Sequence, residues 1–166
     1  MRGFGNQTEY NSILILRVTN LDGYWVELVQ RVPGKIKNYY NLSQTMLRVK
    51  NPVKSLAFYQ SLGMKLVRER HLNDFSLYFL ASNVEVPVDP KSDDANKHLK
   101  SMFQPVLELT HNHGTEKDDD FKHYNGNEEG RQGFGHIGFL VDHVYKACDA
   151  ITEHGYGFRK VCVRGA

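Results

Sequence analysis

Apolar and polar positions follow a two-residue rhythm in the first thirty residues. The apolar run Ile13-Leu14-Ile15-Leu16 is broken at Asn20-Leu21-Asp22-Gly23 and resumes with Tyr24, Val26 and Leu28 alternating against Trp25, Glu27 and Val29. This pattern predicts a β-hairpin over residues 12–30, with Gly23 supplying the turn. It also sets Glu27 on a strand among apolar neighbours, where a carboxylate needs a partner.

Beyond the hairpin, residues 31–41 are basic and polar around Pro33-Gly34 and read as a connector; a short strand is expected at 45–49, with Gln44 at its entrance. Asn51 before Pro52 is a helix-start signal, Leu56, Tyr59 and Gln60 recur at helical spacing, and Gly63 closes the segment. Strands are expected at 64–70 and 75–80 around a polar turn at Asn73-Asp74. Residues 83–101, rich in Pro, Asp and Lys, read as a surface excursion before a fourth strand at 106–110. The module is therefore βαβββ.

A polar, acidic loop over 111–132 leads to a glycine-opened strand at 133–141. A helix follows, capped by Asp142, with Val144, Ala147, Cys148 and Ile151 on one face and Gly155 at its end. Arg2-Gly3-Phe4-Gly5 echoes Gln132-Gly133-Phe134-Gly135, which suggests a repeating array. The expected division is 1–31 as the closing hairpin of a preceding module, 32–41 as linker, 42–132 as a complete module, and 133–166 as the truncated start of the next.

Composition narrows the function classes. Of 166 residues 40% are hydrophobic and 24% charged, which describes a globular chain. The formal charge of +2, from 21 basic and 19 acidic side chains, gives no strong field for nucleic acid or a membrane surface, so an anionic partner must be held by local charges. With only Cys148 and Cys162 there is neither a disulfide framework nor a thiolate cluster, and a reducing compartment, the cytoplasm, is expected. No signal-peptide pattern opens the chain and no apolar run approaches a membrane span.

Gln44, Glu108 and His136 lie on or beside expected strands, and with Glu27 they make a nitrogen and oxygen donor set suited to Zn²⁺, Ni²⁺ or a similar ion. Taken singly, each of these residue types is more often a surface or hydrogen-bonded group than a ligand. Arg48, Lys50 and Asn112 could bind an anionic or peptide-like substrate, or be solvated strand residues. His111 and His113 form a loop pair without further ligands. Phosphate-loop, dinucleotide and Gly-x-Ser-x-Gly patterns are absent, and Cys148 reads as a structural thiol on an apolar helix face.

Four segments in order, Gln44-Thr45-Met46-Leu47-Arg48-Val49, Phe58-Tyr59 with Leu62-Gly63-Met64, Val106-Leu107-Glu108-Leu109-Thr110-His111-Asn112, and Gly133-Phe134-Gly135-His136-Ile137-Gly138, resemble the glyoxalase I (lactoylglutathione lyase) family of the vicinal oxygen chelate superfamily. The resemblance runs from Leu42 to about Lys160 as one copy, and residues 20–29 resemble the closing strand of a preceding copy. That order is similar to a partial stretch of the tandem, two-copy eukaryotic form.

The resemblance implies an α+β fold of βαβββ modules forming an open barrel, here with the second module incomplete. It implies a divalent metal, Zn or Ni, held by Gln44, Glu108, His136 and Glu27, and Glu27 and Glu108 as catalytic carboxylates, Glu27 shuttling the substrate proton while the metal stabilises an enediolate. It implies Arg48, Asn112, Arg131 and Arg2 as substrate-binding residues, and isomerisation of the glutathione hemithioacetal of methylglyoxal to S-lactoylglutathione. A homodimer completing the barrel is the expected assembly, with no nucleic acid or membrane partner.

The chain departs from the family pattern at Asn6, where His would stand, at Gln132, inserted before the glycine, and after Lys160, where the closing strands are missing. In the tandem arrangement Glu27 shares a site with Gln44 and Glu108, and His136 belongs to another; a fold-back of residues 12–30 onto 133–160 would instead bring all four together. Two alternatives follow: a catalytically inactive binding or dimerisation module, and an extradiol dioxygenase using two His and one carboxylate on iron, against which Gln44 and the run from Glu108 to Asn112 argue.

Overall fold

The computed structural model describes residues 15–29 and 41–158. The expected connector, Arg2, Asn6 and the stretch after residue 158 lie outside these. The expected hairpin is present: β1 (Ile15–Thr19) pairs antiparallel with β2 (Trp25–Val29), Arg17 directly opposite Glu27. Its loop is organised by Asn20, whose side-chain oxygen accepts from the amides of Asp22 at 3.0 Å and Tyr24 at 2.9 Å, while Gly23 takes a φ of +85° that disfavours a side chain.

A four-stranded mixed sheet forms the body of the protein. It comprises β3 (Gln44–Arg48), β4 (Met64–His71), β5 (Phe75–Ser82) and β6 (Val106–Asn112), in the spatial order β3-β6-β5-β4. Only the β3–β6 pair is parallel. The helix α1 (Pro52–Ser61) connects β3 to β4; Asn51 caps it by accepting from the Lys54 amide at 3.1 Å, as its sequence demands. With the hairpin a separate two-stranded sheet, the fold is α+β, and no closed barrel forms among the described residues.

Both faces of the sheet are covered. On one, Val49, Met64, Tyr78, Leu80, Leu107 and Leu109 form a core under Leu56 and Tyr59 of α1. On the other, Val67, Phe79, Ala81, Met102 and Val106 pack with Leu77, Val84 and Leu99. Alternation turns Val67 from the Leu66 side into this second core, and the register shift between Leu66 and Arg68 sets Arg68 against Phe79 on that same face.

Three expectations are corrected. Residues 83–101 are no mere excursion, because they contain α2 (Asp93–Ser101), capped by Ser92 and opened by Asp93 and Asp94. Its apolar side is thin, Ala95 and Leu99 followed by Met102, and tertiary contact with Val67 and Phe79 supplies the stability that its composition does not announce. The strand expected at 133–141 is irregular chain, since no neighbouring strand offers it backbone partners among the described residues. The last helix, α3 (Val144–Glu153), is capped by His143 and not Asp142; the imidazole accepts from the Lys146 amide at 3.4 Å. None of its residues is fully buried. No described helix is long and apolar enough to cross a membrane.

The loop before residue 133 is fixed by a close approach. Gly126 has a φ of +78°, and a Cβ there would stand 1.9 Å from the Phe134 carbonyl oxygen; the Gly133 amide donates to the Gly126 carbonyl at 3.0 Å. Gly130 has a φ of +72° but open space around it. Gly126→Ala is therefore expected to destabilise by more than the ~1 kcal/mol that a left-handed alanine costs, and Gly130→Ala by about that amount. Thermal unfolding of the two variants side by side checks the order.

Candidate functional site

The parity of β6 decides which side chains meet. Leu107, Leu109 and His111 point to the α1 side, so Glu108, Thr110 and Asn112 point to the other; parallel pairing sets Met46 against Glu108 and Arg48 against Thr110. Gln44 reaches across from the start of β3. Its Nε2 donates to Glu108 Oε2 at 2.7 Å and lies 3.5 Å from Glu27 Oε2 on the hairpin. Thus one amide faces two carboxylates from three strands of two sheets.

Glu108 is mostly buried. Desolvation is the main reason its carboxyl is pushed up from 4.5 to about 7, and the charge of Glu27 adds to the rise; the Thr110 hydroxyl, 3.4 Å from Glu108 Oε1, Arg17 and Arg48 partly offset it. Arg17 was not picked out from the sequence. Its Nε donates to Glu27 Oε1 at 2.7 Å and its guanidinium lies 5.3 Å from the centre of the Trp25 ring. The signal was available, because a hairpin turning at Gly23 places Arg17 opposite Glu27.

The other expected residues divide. Arg48 Nη1 donates to Asn112 Oδ1 at 3.0 Å, forming a polar pair at the end of β3 and β6, and Lys50 Nζ donates to the Asp119 carbonyl at 3.1 Å. Arg131 stacks over Tyr124 with its guanidinium carbon 4.0 Å from the ring centre. His136 is exposed on the irregular segment. Among the described residues no group of three or more His, Cys, Asp or Glu is gathered closely enough to hold a metal, so His136 does not join the two carboxylates. The fold-back that would unite all four is not seen among the described residues.

A family model described as the Glyoxalase/Bleomycin resistance protein/Dioxygenase superfamily matches residues 41–165. A lactoylglutathione lyase of Pseudomonas putida is 47% identical over 121 residues, covering 71% of this chain and 69% of that protein. The chain belongs to the glyoxalase I family. Lactoylglutathione lyase of Schizosaccharomyces pombe is 37% identical over 149 residues, 87% of this chain but 45% of the yeast protein. Glyoxalase I of Saccharomyces cerevisiae is 44% identical over 124 residues, 72% of this chain and 36% of its own length. The chain thus spans less than half the length of these two family members.

The donor set suits the divalent metal that the glyoxalase family implies. Two carboxylates forced together in a half-dry site repel one another, and a cation relieves that repulsion. Glu108 and Glu27 supply carboxylate oxygens suited to such an ion, and Gln44, whose Nε2 faces both carboxylates, would offer its Oε1 once its amide is turned over.

The raised Glu108 carboxyl has a consequence for stability. The folded chain keeps a proton that the unfolded chain, near 4.5, has lost, so stability falls as the pH rises from about 4.5 to about 7 and stays lower above it. Glu108→Gln removes this penalty while keeping the size of the side chain. In chelator-treated protein the variant is expected to be more stable than the parent at pH 8, by on the order of 2–3 kcal/mol, with the difference shrinking toward pH 5. Urea unfolding at the two pH values measures it.

Proposed function

We propose that this chain carries the chemistry of a lactoylglutathione lyase, isomerising the methylglyoxal-glutathione hemithioacetal to S-lactoylglutathione by metal-assisted proton transfer. The observation that carries the reading is the meeting of Glu27, Gln44 and Glu108 around one amide, in a chain of the glyoxalase I family. Zn²⁺ or Ni²⁺ is the proposed ion, since both accept such donors. When bound, the metal supplies Lewis-acid polarisation of the two substrate oxygens.

The chain's own residues do the rest. Glu27 takes the proton from the hemithioacetal carbon and returns it to the neighbouring carbon, with Arg17 holding its other oxygen. Glu108, Gln44 and Glu27 would hold the ion, and Thr110 steadies Glu108. The Arg48–Asn112 pair receives a carboxylate or amide of the glutathione part, and Arg131 and Arg2 are further anion contacts by the family pattern. Cytoplasmic operation fits a glutathione-dependent substrate and the few cysteines.

His136 is the proposed fourth ligand of a site completed by a second copy. That His136 forms no group of three with Glu27 and Glu108 among the described residues favours that homodimer over a complete site in one chain. The same observation favours a second reading, a glyoxalase-fold binding module without turnover.

Metal content and S-lactoylglutathione formation from methylglyoxal and glutathione, with added Zn²⁺ or Ni²⁺, separate the two. The lyase reading expects turnover that falls at least ~100-fold in Glu27→Gln, and a metal lost in Glu108→Gln. Mixing His136→Ala chains with Glu108→Gln chains should restore activity if the site is shared. A metal-free, inactive parent that still binds glutathione establishes the binding module instead.

A further inference from the structure

The face of the sheet opposite Glu108 carries a second polar cluster, built from β4, β5 and the end of β6. Ser76, only 1% exposed, stands opposite His71 on β4 and His111 on β6. Its Oγ lies 2.8 Å from His71 Nδ1 and 2.7 Å from His113 Nε2. Both contacts end on this one hydroxyl oxygen, which brings the two imidazole nitrogens to the same side chain. Behind it, His71 Nε2 lies 2.6 Å from Glu69 Oε1.

Proton counting defines this network. In the tautomer that carries its proton on Nε2, His71 donates to the Glu69 carboxylate and turns its Nδ1 lone pair to Ser76. In that tautomer the Ser76 hydroxyl donates to His71 Nδ1 and accepts from His113 Nε2, and the Tyr78 hydroxyl is a further partner of Ser76. Moving the His113 proton to its other nitrogen turns a second lone pair to the same hydroxyl. A carboxylate on the far nitrogen of one imidazole is the support that metal-ligating histidines use.

We propose that His71 Nδ1, His113 Nε2 and Ser76 Oγ form a site for a divalent transition cation of borderline softness, Cu²⁺, Ni²⁺ or Zn²⁺, separate from the Glu27, Gln44 and Glu108 group. It holds two imidazoles and a hydroxyl, which select such ions over Mg²⁺ or Ca²⁺. Water completes the coordination from the open side, where His113 is exposed and the His71 side chain is 47% exposed. Ser76 forms its floor.

The surroundings suit a cation. Glu69 balances its charge, although Lys91 Nζ stands 3.8 Å from the same carboxylate oxygen. The Tyr78 ring meets His71 edge-on at 6.2 Å, and His111, 5.7 Å from His113 between ring centres, is occupied by Glu116 at 2.8 Å. Protonated imidazoles cannot ligate, so acid empties the site.

The test uses the full chain carrying Glu27→Gln and Glu108→Gln, so that the other face cannot compete, titrated with Cu²⁺ and followed by electron paramagnetic resonance. The expected result is one bound Cu²⁺ per chain whose spectrum shows coupling to two imidazole nitrogens. His71→Gln and His113→Asn, both of which keep hydrogen-bonding groups toward Ser76, should each weaken binding at least tenfold, while His154→Asn, at the exposed end of α3, leaves it unchanged. Weakening of less than tenfold in both variants, or a spectrum without two nitrogen couplings, overturns the proposal. Neither outcome depends on whether the chain turns over a hemithioacetal.

Discussion

Strand β6 is hydrogen-bonded along both edges, to β3 on one side and β5 on the other, and the arrangement of both clusters follows from that double pairing. A strand held on both sides cannot slip by one residue without exchanging its two faces. Leu107 and Leu109 are locked under α1, each nearly inaccessible. Glu108 is then driven to the opposite face whatever its own preference. The apolar residues on either side of it enforce the burial of its carboxylate, at an electrostatic cost visible in a carboxyl raised to about 7.

That cost is concentrated where a hairpin and a sheet meet. Gln44 can offer one N–H to each of two carboxylates but carries no charge, and Arg17 reaches only Glu27 Oε1. The group is therefore hydrogen-bonded yet under-neutralised, which is the condition in which an added cation binds most favourably. The opposite face solves its polar problem without such repulsion. There the Ser76 hydroxyl is shared by two imidazoles and each buried polar atom of the triad has a partner.

Local patterns made much of the fold legible. The alternation after Gly23 located the hairpin, the Asn51-Pro52 signal located α1, and short apolar runs located β3 to β6 to within a few residues. What could not be read locally was whatever depends on a distant partner. The three apolar positions of Ala95, Leu99 and Met102 become a helix only against Val67 and Phe79, and residues 133–141 have strand-like composition but no strand beside them among the described residues. Arg17 was legible in principle from hairpin register. The meeting of Gln44 with Glu108 was reached through family resemblance, because nothing in their separation along the chain specifies a parallel β3–β6 pair.

The same dependence on partners bears on the surface. Trp25 is 71% exposed and Leu140 fully so, and the hairpin and the segment leading to α3 expose Val18, Val26, Leu28, Phe139 and Val141 as well. These apolar side chains occupy the elements that lack sheet neighbours, while the four-stranded sheet between them is covered on both faces. Apolar surface of this kind is costly in water and marks a face suited to interaction. His136 lies within the segment that carries Phe139 and Leu140, so an element without a sheet neighbour among the described residues also carries the residue proposed as the fourth ligand. Under the proposed shared site, the partner that covers these apolar side chains would also bring the fourth donor.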